Sequence, residues 1–355
     1  MKRLSEKLSV TCKKLIFGHV GACIIILCIL PVLFIGHSFF RGFDIKIEQM
    51  SADTEEEDLI VVGFSQLGSE SGWRTAHTAS IQQALTKDAG YFLIYNNARQ
   101  MQENQIKAIR SFISQRVDYI VFAPVIEDGW DTVLLEAKSA GIPVIVTDRM
   151  VNVQDDSLYT AWIGTDAKEE GKKAGRWLET YLGQKRRQPE EINIVVLKGT
   201  VGSTAEIGRT KGFGEIAAQH DNWRILESVT AEFTANKAKE VMRSMLRRYP
   251  EMNVLISQND DMTMGAIEAM EEAGIRFGEG GDVTVISFDA TRDALELIQE
   301  GRINVDVECN PVQGAYVGEI IQKLEKGETV QKHYVVEEKV FTRENAEEFL
   351  EHRKY

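Results

Sequence analysis

Cysteine is scarce in this 355-residue chain. Cys12, Cys23 and Cys28 fall near the N-terminus, and only Cys309 lies in the body of the sequence. That body forms no internal disulfide, and at this size a hydrophobic core suffices without one. No CxxC pair, Cys/His cluster or HExxH helix offers metal-ligand spacing, so neither metal nor cofactor is expected. Basic residues are also in deficit. Against 54 Asp+Glu stand 41 Lys+Arg, a net charge of −13, which argues against nucleic acid as a partner. Catalytic signatures are missing as well. Gly68-Ser69-Glu70-Ser71-Gly72 has the outline of a hydrolase nucleophile elbow, but Glu stands where the nucleophile would. There is no lysine-bearing phosphate loop and no GxGxxG after the first apolar strand. The six histidines are scattered without an evident acid or base partner, so no catalytic residues and no enzyme activity are expected.

What is present divides sharply. Residues 1–41 carry Lys2, Arg3, Lys7, Lys13, Lys14 and Arg41 against Glu6 alone, so the acidity lies in the rest. No charged residue interrupts 15–40, and about 20 apolar residues suffice to cross a hydrocarbon core. Lysines before it and acidic sequence after it place the N-terminus inside. Gly36-His37-Ser38 has the small residues of a signal-peptidase site, whereas the length of the run fits an uncleaved anchor better. Val20-Gly21-Ala22-Cys23 has the form of a lipobox, but its apolar stretch follows the cysteine instead of preceding it. The segment 1–41 is therefore a membrane anchor or export signal, and 42–58 an acidic linker with Asp53-Thr54-Glu55-Glu56-Glu57-Asp58 as a solvated run.

Beyond residue 58 the pattern alternates between strand and helix. Leu59–Phe64, Tyr91–Tyr95, Tyr119–Phe122 and Pro143–Val146 are apolar runs of the kind buried on both faces of a parallel sheet. Amphipathic stretches separate them, such as 105–115 with Ile106, Ile109 and Ile113 on one face. The rhythm restarts at Ile192–Leu197 and continues through Val254–Ile256 and Val283–Ile286. On the helix expected over 234–249, Met242 and Met245 serve as core filling. Two blocks of βα units predict an α/β fold of two doubly wound parallel-sheet lobes within 59–350. Lobe one is expected over about 59–158 plus a segment crossing back, lobe two over about 159–302, and 343–355 as a charged peripheral tail.

Ligands of open parallel sheets collect where strands end and helices begin. Glu70, Ser71, Gly72, Trp73 and Arg74 lie at such an end, with an aromatic face between charged groups and glycines that admit a close approach. A sugar ring has C–H faces that stack on aromatics and hydroxyls that charged groups bind strongly. Trp130 and Trp177, inside helical patterns, read as packing. Asp148-Arg149 ends another strand and is equally readable as a structural ion pair. Asn259 precedes a helix it can cap, and Asp289 has the same option. Their recurrence at successive strand ends is the signal.

The strings Val62-Gly63-Phe64-Ser65-Gln66, Gly68–Arg74, Gln102–Ala108, Ala123-Pro124-Val125, Asp148-Arg149, Gly199-Thr200-Val201-Gly202 and Asn259-Asp260-Asp261-Met262 resemble the periplasmic sugar-binding proteins of ABC importers, in particular the galactofuranose-binding kind. The likeness runs from about residue 59 to 350. It implies a periplasmic-binding-protein type I fold, two lobes joined by a hinge and closing over one monosaccharide. It also implies ligand contacts from Glu70, Ser71, Gly72, Trp73, Arg74, Asp148 and Arg149 on one lobe and Arg209, Asn259 and Asp289 on the other. Arg209, by its own pattern, is a solvated helix residue. Asp289-Ala290 and Asn310-Pro311-Val312-Gln313 depart from the resembled pattern, which bears on sugar choice and hinge geometry. The implied activity is delivery of a monosaccharide to an ABC permease by an extracytoplasmic, monomeric protein held at or exported through the membrane. The alternative is an anchored sensor reporting sugar to a histidine kinase. A sugar-responsive repressor would need an N-terminal helix-turn-helix, and the apolar run stands there instead.

Overall fold

The computed structural model describes residues 59–185 and 191–355. The apolar segment 15–40, the linker 42–58 and three of the four cysteines lie outside the described residues. Among the described residues no helix is long and apolar enough to cross a membrane.

Two six-stranded sheets share one winding. The first runs β11(His333–Val335), β5(Ala161–Gly164), β4(Val144–Thr147), β3(Tyr119–Phe122), β1(Ile60–Gln66), β2(Tyr91–Asn97). The second runs β12(Val340–Phe341), β10(Val305–Glu308), β9(Thr284–Asp289), β8(Val254–Ser257), β6(Ile192–Lys198), β7(Trp223–Thr230). All pairings are parallel except that of β12 with β10. This is the periplasmic-binding-protein type I architecture of two α/β lobes. Every residue of β3, β4, β5, β8 and β10 is buried, because helices cover both faces of each sheet.

The helices of the first lobe are α1(Gly72–Ala84), α2(Gln102–Gln115) and α3(Asp131–Ser139). Those of the second are α4(Ala167–Gln184), α5(Thr204–Ala217), α6(Ala235–Arg248), α7(Asp260–Glu272) and α8(Arg292–Gln299). One face of the first sheet packs Ile109, Phe112, Phe122 and Trp130; the other packs Val62, Phe64, Ile81 and Ile145. Into that second layer comes α9(Gly314–Glu325), with Val317, Ile320 and Ile321. Met242 and Met245 of α6 are buried in the second lobe's core.

Three segments cross between the sheets: the one after β5, the one after β10, and residues 336–339 between β11 and β12. The sequence pattern gives no sign of β5, β7, β11 or β12. β7 is an edge strand with partly exposed residues throughout, and the other three have only two to four residues. The C-terminal stretch is not peripheral. α10(Ala346–Leu350) buries Ala346 and sets Phe349 against Phe341, and Arg353 forms a buried ion pair with Glu308 at 2.6 Å.

Candidate functional site

The loops at the carboxyl ends of the two sheets face one another across a narrow cavity. Nine sequence-predicted residues line it: Glu70, Ser71, Trp73, Arg74, Asp148, Arg149, Arg209, Asn259 and Asp289. Gly72, the tenth, stands beside the cavity without lining it, and its N–H donates to Asp261 Oδ2 at 3.2 Å across to the other lobe.

The loop after β1 becomes α1 because Ser71 caps it, accepting from Arg74 N–H at 3.1 Å. One turn of helix then brings Arg74 back onto Glu70, Nε to Oε1 at 3.0 Å. Arg74 Nη1 also meets Asp148 Oδ2 at 2.7 Å. Asp148 therefore pairs chiefly with Arg74, while its neighbour Arg149 stays 3.9 Å away and donates to Val125 O at 2.6 Å. Asp148 holds a positive φ of 60°, which turns its side chain at the end of β4. Trp73 lies flat on His77 (centroids 5.3 Å apart, planes at 8°), with the Arg74 guanidinium 4.6 Å above its ring. Its indole N–H donates to Cys309 O at 2.5 Å. Burial, then the charge of Arg74, pushes His77 down to about 4, so the imidazole is neutral near neutral pH. Trp130 is wholly buried packing, and Trp177 stacks on Tyr181.

On the facing lobe, Asn259 caps α7 and accepts from Met262 N–H at 3.0 Å. Asp289 is not a cap; Thr291 holds that position, and Asp289 ends β9 with φ 112° and its carboxylate 3.4 Å from Arg209 Nη2. Arg209 is buried despite its place inside α5. The reason is that Gly171 and Gly212 let α4 and α5 touch backbone to backbone, where any Cβ would collide with Arg209 O or Lys168 O. That approach sets Arg209 Nε 2.6 Å from Glu170 Oε2 and directs Nη1 onto Gln258 O.

The two sides differ electrically. Burial alone would raise the Asp148 carboxyl, but Arg74, Arg149 and His77 together hold it below its usual value. Burial and the like charge of Arg74 lower Arg149 to about 10. Across the cavity, burial pushes Asp289 well above its usual value, only partly offset by Arg209 and reinforced by Asp260 and Asp261. Asp306, beneath it, is raised by burial and by Asp260. Burial and Glu170 push Glu338 up to about 11.

Ala205, Phe233 and Cys309 also line the cavity and escape the sequence reading. The Arg149 guanidinium lies 5.3 Å from the Phe233 ring. Phe233 follows β7, a strand the sequence pattern does not show; Cys309 follows β10, a strand end the reading passed over. No set of nucleophile, base and orienting group is built here; the arrangement can hold a small polar ring between an aromatic face and opposed charges.

The model of a family described as periplasmic binding protein domain matches residues 62–329. The galactofuranose-binding protein YtfQ of Escherichia coli (strain K12) is 38% identical over 299 residues, covering 83% of this chain and 92% of its own. A Mycobacterium smegmatis protein solved in complex with β-D-fucofuranose is 42% identical, with a TM-score of 0.79, covering 83% of this chain and 95% of the other. The periplasmic component of the arabinose ABC transporter from Shewanella sp. ANA-3, solved with α- and β-L-arabinofuranose, is 42% identical with a TM-score of 0.77, covering 83% and 95%.

Proposed function

The chain belongs to the periplasmic binding protein domain family, and from that premise we propose that it captures a monosaccharide in five-membered-ring form and delivers it to the permease of an ABC importer. The observation that carries this is the cavity between the sheet ends, where Trp73 meets three arginines and three carboxylates. Sugar hydroxyls accept from Arg74, Arg149 and Arg209 and donate to Glu70, Asp148 and Asp289; such charged hydrogen bonds are about twice as strong as neutral ones. The Trp73 indole, which lines the cavity, offers apolar contact to the C–H groups of the ring.

The five-membered ring is supported by three relatives, for which galactofuranose, fucofuranose and arabinofuranose are named. Capture proceeds by lobe closure. The contacts that form then include Gly72 to Asp261, Glu127 N–H to Gly202 O at 3.0 Å, and Met150 N–H to Thr204 Oγ1 at 3.1 Å. The protein works outside the cytoplasm as a monomer, with 15–40 as its anchor or export signal, and catalyses nothing. The sensor alternative rests on the apolar run alone, and the relatives lend it no comparable support.

Isothermal titration of the protein with galactofuranose, arabinose, galactose and fructose tests this. Saturable heat with a furanose sugar at 1:1 is expected. Neither heat nor a thermal shift with any sugar would sink it.

A further inference from the structure

The three segments that cross between the sheets meet behind Arg209, and each brings one side chain there. Glu170 comes from the first turn of α4, after the β5 crossing. Cys309 belongs to the crossing after β10, and Glu338 to the one between β11 and β12. Their ligand atoms, two carboxylate oxygens and a thiol sulfur, all lie within 4.8 Å of one another. Glu170 is wholly buried. Its Oε2 is taken by Arg209 Nε at 2.6 Å, while its Oε1 has no N–H donor among the described residues and faces the Glu338 carboxyl. Two buried carboxyls facing one another must share a proton or hold a cation between them, and a thiol at the same point adds a metal ligand.

We propose that Glu170, Cys309 and Glu338 form a binding site for one divalent transition-metal ion of the zinc class, stapling the three crossings together. The donor set selects the metal. A thiolate is too soft for magnesium or calcium, while carboxylate oxygen and sulfur are both ordinary zinc ligands. The Thr165 hydroxyl, 3.7 Å from Cys309 Sγ, is a neutral donor at the same point. Arg209 on Glu170 and the Asn310 N–H on Glu338 Oε1 at 3.3 Å orient the two carboxylates from outside, as partners of metal ligands do. Glu338 is only half-buried and gives the ion its way in. On binding, the Cys309 thiol and the Glu338 carboxyl, which burial and Glu170 hold protonated, each release a proton to solvent and coordinate as thiolate and carboxylate, so uptake strengthens with rising pH. Sequence spacing hides the site, because its ligands come from three separate crossings.

The experiment needs no sugar and stands apart from the proposed function. Full-length protein, with Cys12, Cys23 and Cys28 changed to Ser, is stripped with a chelator and titrated with zinc chloride and, separately, cobalt chloride. One zinc per chain, a raised thermal midpoint and a cobalt–thiolate charge-transfer band are expected. Cys309→Ser abolishes the band, and Glu338→Gln weakens zinc at least about tenfold. Circular dichroism confirms that each variant is folded; Glu338→Gln, at a half-buried position, keeps the test valid should Cys309→Ser unfold. Failure to take up zinc at micromolar concentration overturns the proposal and leaves a shared proton between the two carboxyls. Uptake that is unchanged in both variants overturns it equally.

Discussion

On one side of the cavity Arg74 stands between Glu70 and Asp148, at 3.0 and 2.7 Å, with Arg149 close by. On the other, Arg209 alone meets Glu170 and Asp289, above the further buried acids Asp260 and Asp306. The first side has as many cations as anions, and its Asp148 is held ionised. The second is short of positive charge, and its Asp289 and Asp306 carboxyls are driven toward the neutral form. Opposite charge states across one small cleft suit a ligand whose hydroxyls both donate and accept. The contrast also shows which arginine the structure can least afford to lose.

The largest effect expected is from Arg209→Met, which strands Glu170 and Asp289 and costs about 3–5 kcal/mol in denaturant unfolding. Arg149→Met should cost distinctly less, because Arg74 remains beside Asp148 and a like-charge contact is relieved. Equal losses would erase the contrast between the sides. Next, Trp73→Leu should weaken sugar binding about 30-fold, about 2 kcal/mol, read by calorimetry.

Acidity separates the sides by sign. Asp148, held below its usual value, contributes stability above about pH 4 that disappears as pH falls. Asp306, held above, contributes stability at low pH that is lost as pH rises past about 4. Asp306→Asn should therefore flatten the decline above that point by up to about 1.4 kcal/mol per pH unit, measured by unfolding across pH 4–7. A steeper decline would reverse the assignment. Smallest, Ser71→Ala and Asn259→Ala each remove a helix cap bordering the cavity and should cost about 1 kcal/mol apiece. Matched losses would show that the two sides differ in charge and not in helix anchoring.

The same division explains what could be read from the chain. The first side is nearly contiguous: 70–74 span the end of one loop and the first turn of α1, and 148–149 follow the apolar run of β4, so local pattern suffices. Arg209 carries no local sign of burial, because its seclusion depends on glycines that let another helix approach. It was legible only through family resemblance. Phe233 follows a strand whose half-exposed alternation is weak, and Gly72 was singled out for a ligand when its amide serves the opposite lobe. Asp289 resembles a cap until the chain's φ shows it turned toward Arg209. The α/β alternation needed none of this, since buried parallel strands leave uninterrupted apolar runs.

The repeated crossing of the chain also imposes an order in time. The first sheet receives its sixth strand from residues 333–335 and the second from 340–341, while α9 returns to the first layer only after β10 is laid down. Neither half can therefore be finished as the chain emerges from the ribosome. Each waits, with an open edge, until residues 333–341 have emerged, and the two mature together. Because β11 must find β5 across the whole of the second lobe, that pairing carries a loop-closure cost that slows completion of the first sheet, whereas β12 closes on the nearby β10.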